Sequence, residues 1–139
     1  TRGSDSIAIQ EIAATDFEEY REVNELILQG RKLGSDVLIA QAKDSTAYDT
    51  VVISKAADAM LAMSGIEASF VLAKNTQGFI SISARSRSKI NVQRIMEELG
   101  GGGHFNLAAA RLTDMSLQEA GDKLKTVIFN ETKEKESEE

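Results

Sequence analysis

The sequence predicts an α/β domain built as a single mixed β-sheet flanked by helices. Stretches of helical periodicity alternate with short, densely apolar runs along the chain, as they do when helices cover a sheet. Two of those runs, 66–73 and 79–85, are separated only by Lys74-Asn75-Thr76-Gln77-Gly78. Asn and Gly in so short a connection favour an antiparallel hairpin. With 139 residues, 42% of them hydrophobic, the chain is one domain with enough apolar surface for its own core.

The elements follow in order. Residues 1–15 are set aside as linker or expression remnant, Thr1 to Ser6 being small and polar. A first helix is expected over 16–33, opened by a Thr15/Glu18 capping box. Phe17, Tyr20, Val23 and Ile27 form its apolar face, and Gly34 ends it. Residues 36–42 (DVLIAQA) read as a buried strand and 43–49 as a polar loop. A second helix is expected over 50–64, with an Ala-rich face that permits close packing. On the second strand of the hairpin, Ile80, Ile82 and Ala84 share one face, and Ser81, Ser83 and Arg85 the other. A third helix is expected over 91–99, capped by Asn91, with Val92, Ile95, Met96 and Leu99 as its apolar stripe. Residues 108–112 suit another strand. A fourth helix begins after Ser116, where Ser116 and Glu119 form a second capping box. The folded domain is expected to span 16–130, with 131–139 a charged flexible tail.

Composition narrows the function classes. Without Cys there is no disulfide and no thiolate metal site, which fits a reducing compartment. No apolar run approaches the ~20 residues that span a bilayer. The chain does not begin with Met and reads as a piece of a longer protein. Net charge is −6, yet no Asp or Glu occurs from Ala68 to Met96, a stretch holding Lys74, Arg85, Arg87, Lys89 and Arg94. Such a stretch is either a solvated surface or a local anion site. Aromatics at 5% and an acidic balance argue against diffuse nucleic-acid binding.

The chemistry concentrates at Gly100–Gly103 and His104, the only histidine. Glycine loses more backbone freedom on folding than any other residue, so a run of four needs a reason. One glycine suffices to end a helix. Successive glycines can also aim N–H groups at one anion or admit a ligand close to the backbone. No Lys-Ser/Thr follows, and the glycines come after a helix instead of opening one, so this is not a P-loop of a nucleotide triphosphatase. His104 reads either as a structural histidine or as a hydrogen-bond donor to phosphate or base. Asp44 and Asp49 in one loop are a weak metal signal, and neither a Ser-His-Asp order nor an H-E-x-x-H is present.

Ser83-Ala84-Arg85-Ser86, followed by Gly101-Gly102-Gly103-His104 with Ala108 and Ala109 behind, resembles the DHH-associated domain. That domain is the C-terminal, substrate-holding half of Asp-His-His phosphoesterases. Over about 23–128 the chain looks most like the membrane-anchored cyclic-di-AMP phosphodiesterases of Firmicutes. Many members of the superfamily read Gly-Gly-Gly-His-x-x-Ala-Ala-Gly, whereas here Leu107 precedes the alanine pair and Ala110 follows it. The resemblance implies a parent hydrolase that opens cyclic-di-AMP to linear pApA. Its two metals, usually manganese, sit in a preceding Asp-His-His domain, so that no catalytic residue, metal or cofactor is expected in this chain. It also implies that Arg85 and Ser86 contact phosphate, and that Gly101, Gly102, Gly103 and His104 form the loop against phosphate and nucleoside. The implied partners are a cyclic dinucleotide and the preceding domain, with no DNA and no direct membrane contact. The implied location is the cytoplasmic part of a membrane-anchored bacterial protein. The competing expectations are the substrate domain of an oligoribonuclease or adenosine bisphosphate phosphatase, and an RNA-binding appendage such as accompanies alanyl-tRNA synthetases.

Overall fold

The computed structural model describes residues 17–138, with side chains through Lys133. One mixed seven-stranded sheet lies between two helical layers, as the alternating pattern predicts. The strands are β1 (Gly30–Leu33), β2 (Val37–Gln41), β3 (Ala47–Tyr48), β4 (Ala68–Asn75), β5 (Ile80–Ser86), β6 (Gly102–Gly103) and β7 (Leu107–Leu112). The sheet order is β1-β2-β4-β5-β7-β6, with β3 pairing in parallel to the end of β4. Only β2 and β3 run parallel to β4; the other pairings are antiparallel. The β4–β5 hairpin is the one expected, with Lys74 opposite Ile80 and Gly78 at φ 99° in its turn.

On one side lie α1 (Phe17–Ile27) and α2 (Thr50–Leu61). Their core joins Leu26, Ile53, Ala56, Ala57 and Met60 to Ala40, Val71 and Ala73 of the sheet. The small residues of α2 bring its axis close to β4, where Ser69 Oγ donates to the Ala57 carbonyl at 2.7 Å. On the other side lie α3 (Val92–Glu98) and α4 (Leu117–Glu138). There Ile95, Met96, Leu117, Leu124 and Ile128 close over Phe70, Leu72, Ile82 and Ala84. The expected alternation on β5 holds: Ile80, Ile82 and Ala84 meet α3 and α4, and Ser81, Ser83 and Arg85 meet the α2 side.

The first helix is shorter than the periodicity suggests. It ends at Ile27, and residues 30–33 form edge strand β1 instead. Gly30 lies where a Cβ would come within 2.9 Å of the Ile27 carbonyl oxygen, and Gly34, at φ 74°, turns the β1–β2 hairpin instead of capping a helix. Val23 and Leu26 are buried, but Phe17 and Tyr20, assigned to the apolar face, are 59% and 68% exposed. Thr15 of the expected capping box, like the rest of 1–15, lies outside the described residues. The 43–49 loop contains β3, and the second helix stops at Leu61. Asn91 accepts from the Arg94 N–H at 3.3 Å, and the Ser116/Glu119 box is reciprocal at 3.0 and 3.3 Å, as predicted. At the other end α4 continues as helix through 131–138, which composition assigned to a flexible tail. Glu and Lys, which make up most of residues 131–138, are good helix formers.

Tyr48 anchors α1 to the end of the sheet, its buried hydroxyl donating to Glu25 at 3.0 Å. Burial, then the bond to the Glu25 carboxylate, push the phenol up to about 12. A raised folded pKa favours the neutral phenol, so its stabilising effect is complete below the unfolded value of about 10. It is lost as pH rises from there through about 12. In denaturant titrations the stability difference between wild type and Tyr48→Phe is therefore expected to shrink across that window. A difference that stays constant through pH 12 would refute the linkage.

Candidate functional site

The glycine run is a helix stop that becomes an edge strand. Leu99 caps α3, and Gly100, at φ 85°, takes the left-handed position after it. Gly100 N–H reaches Glu97 O at 3.0 Å and Gly101 N–H reaches Met96 O at 2.8 Å, the paired bonds of a Schellman motif. Beyond it Gly102 and Gly103 pair with Ala109 and Ala108 as β6. At Gly101 and Gly103 the chain runs so close to β7 that side chains are excluded. A Cβ on Gly101 would lie 2.7 Å from Ala110 Cα, and one on Gly103 would lie 2.5 Å from Ala108 Cα. Three of the four glycines thus have internal reasons. Gly102 has none: its φ is not positive, and a Cβ there would meet nothing within 4 Å.

A turn over 104–107 joins β6 to β7. His104 N–H donates to Leu107 O at 2.7 Å and Leu107 N–H returns to His104 O at 3.3 Å. An antiparallel ladder alternates bonded and non-bonded pairs, so Gly103–Ala108 is a non-bonded pair. The Gly103 N–H therefore points away from β7, toward the open edge of the sheet. Asn106 fixes the turn. Its side-chain amide donates to the carbonyls of Ser86, at 3.1 Å, and Arg87, while its own carbonyl accepts from Ser86 N–H at 3.0 Å. Ser86 Oγ donates to Phe105 O at 3.1 Å, and Val92 N–H, at the start of α3, donates to the same oxygen at 3.0 Å.

Register decides which predicted residues share a surface. Arg85 lies opposite Leu107, and Leu107 opposite His104; Ser83 lies opposite Ala109, and Ala109 opposite Gly102. Directly paired residues project to one face. Arg85, His104 and Gly102 therefore stand together on the α2 side. Ser86 projects to the opposite face, where it holds the turn. Along β7, Ala108, Ala110 and Leu112 are buried in the core on the α3/α4 side, whereas Leu107, Ala109 and Arg111 face the α2 side and are exposed. The result is a bare shelf, floored by β7 and β6 and walled by Ser54 and Asp58 of α2, beside the exposed Val51.

Arg85 is the cation of this shelf, but it is not free. It is 8% exposed; its Nε donates to Asp58 Oδ1 at 2.7 Å and its Nη1 to Ala84 O at 2.9 Å. Its Nη2 has no hydrogen-bond partner among the described residues. The other cations of the acid-free stretch are dispersed. Lys74 pairs with Asp44, Arg94 with Glu131, and Arg87 closes the end of α2 through the Leu61 and Ile66 carbonyls. Asp58 and Asn106 were missed by sequence reasoning. Asp58 sits four residues after Ser54 on a helix whose alanines dominate the pattern. Asn106 carried a signal in principle, as a turn-forming residue between two strands.

Residues 34–133 match the DHHA1 domain, and the chain belongs to that family. Among its relatives it is 38% identical over 129 residues to the cyclic-di-AMP phosphodiesterase GdpP of Geobacillus thermodenitrificans, covering 93% of this chain and 20% of that protein. It is 38% identical over 126 residues to the cyclic-di-AMP phosphodiesterase PdeA of Listeria monocytogenes, covering 91% and 19%. The chain thus spans about a fifth of the length of these relatives. Its fold matches an exopolyphosphatase-related protein of Bacteroides fragilis, with a TM-score of 0.69 at 18% identity over 81% of this chain and 34% of that one. The resemblance read from the S-x-R-S and glycine-histidine motifs is borne out at the level of family.

The glycine geometry separates two substitutions of one chemistry. Gly101→Ala forces backbone apart and is expected to cost about 1–3 kcal/mol, whereas Gly102→Ala stays within about 0.5 kcal/mol. Urea unfolding of both variants checks this; equal losses would show that Gly102 too is held by the fold.

Proposed function

We propose that this domain is the substrate-binding half of a two-domain, metal-dependent phosphodiesterase that opens cyclic-di-AMP to linear pApA. The observation that carries the reading is the bare shelf, on which Gly102, His104 and Arg85 converge beside an outward-pointing Gly103 N–H. The names of the relatives support the choice of substrate. On this reading the shelf closes on a phosphodiester. Gly103 N–H and the His104 ring donate to its oxygens, and Arg85 Nη2 supplies a cation whose plane Asp58 fixes. Gly102 and Ala109 leave room for the nucleoside. Ser86 and Gly101 act through the shape of the turn.

Among the described residues no group of three or more His, Cys, Asp or Glu is placed to hold a metal ion. On this reading the metal chemistry belongs to manganese held by a preceding Asp-His-His domain, and this domain's residues bind and orient. No helix among the described residues is long and apolar enough to cross a membrane. The proposed setting is the cytoplasmic part of a membrane-anchored bacterial parent.

In the two-domain protein, His104→Ala and Gly102→Leu are each expected to lower cyclic-di-AMP turnover by about tenfold or more, with melting temperature unchanged. Full activity in Gly102→Leu would remove the shelf from the reaction. Faster cleavage of linear dinucleotides than of cyclic-di-AMP would favour an oligoribonuclease instead.

A further inference from the structure

A second polar pocket lies at the opposite end of the sheet. It opens between edge strand β1, strand β2 and α4, and has a volume of about 400 Å³. The side chains of Arg31 and Lys125 line it, together with the amides of Gln41 and Gln118, over a floor that includes Ile39. Lys32 borders it through the strand, its side chain projecting with Leu38 to the other face. No carboxylate lines it. Arg31 and Lys125 make no hydrogen bond or ion pair among the described residues. In a chain of net charge −6, two unpaired cations facing one cavity are an uncompensated positive site. The nearby Asp122 is engaged by Gln118 Nε2 at 3.1 Å.

The pocket is also built into the packing. Gly121 lies within α4, where glycine is less favourable than alanine by about 1 kcal/mol. A Cβ there would overlap Gln41 Oε1 and come within 3.0 Å of its Cδ. The helix gives up a side chain so that the Gln41 amide can lie beneath the pocket, on the same face of the sheet as Arg31 and Ile39. Cations at the rim, amides at the side and an apolar floor suit a phosphate-bearing small molecule.

We propose that this pocket is a second anion site, taking a di- or polyphosphorylated small molecule. It is separate from the shelf: β1 and β6 are opposite edges of the sheet, five strand spacings or about 24 Å apart. The site does not depend on the function proposed above.

The test is titration of the ¹⁵N-labelled chain with inorganic pyrophosphate and with adenosine diphosphate at physiological ionic strength. Saturable shifts at Gln29–Leu33, Gln41 and Gln118–Lys125, with Gly102–Leu107 unmoved, are expected. Arg31→Gln and Lys125→Gln should each weaken binding by about fivefold and leave melting temperature unchanged, because both residues are exposed and unpaired. Tighter binding of the nucleotide would make the nucleoside part of the ligand; equal binding would assign the site to phosphate alone. No saturation by about 10 mM, affinity unaltered in the double variant, or shifts confined to 102–107 would overturn the proposal.

Discussion

The close approach of the Gly101–Gly103 backbone to β7 is the constraint on which the functional half of the molecule depends. It ends α3, closes one edge of the sheet and sets the register of the β6–β7 hairpin in a single stretch of chain. Because side chains alternate along a strand, register also decides which residues meet the solvent. A slip of one residue would turn His104 and Gly102 toward the core and bring Gly103 outward. Packing and site geometry therefore share one origin, an atom-level contact that only glycine permits.

Charge is organised by the same economy of space. The acid-free stretch looks like one basic patch along the sequence, but folding distributes it over both ends of β4 and β5 and over α3. Most of its cations are matched by a carboxylate or by carbonyls at a helix end. Arg85 is the exception in kind, since it is nearly buried while its partner Asp58 is largely open to water. A buried guanidinium needs such a partner to offset its lost hydration. The pairing leaves the remaining donors oriented by the fold instead of by solvent.

Much of this was legible in the residues. The hairpin at Asn75–Gly78, the Asn91 cap, the Ser116/Glu119 box and the alternation along β5 follow from local chemistry, and the structure reproduces them. What was illegible has physical reasons. β1 was read as helix because the helical spacing of Phe17, Tyr20, Val23 and Ile27 was carried on to Gly34, past Gly30, a residue unfavourable inside a helix. β6 is a strand of glycines and has no side-chain period to read. The separation of Arg85 from Ser86 onto opposite faces is implicit in strand geometry, yet the motif places them side by side. The Arg85–Asp58 pair spans 27 residues and depends on tertiary packing alone.

The Asn106 clasp has a consequence for recognition. The turn from His104 to Leu107 is tied to the end of β5 and to the first turn of α3 before any ligand arrives. Ordering a loop at the moment of association commonly costs about 0.5–1.5 kcal/mol for each immobilised side chain. Here that entropy has already been surrendered during folding, so a ligand meeting this surface encounters donors at fixed spacing. Discrimination between ligands of such a surface rests on their geometry, because the turn is already ordered before they arrive.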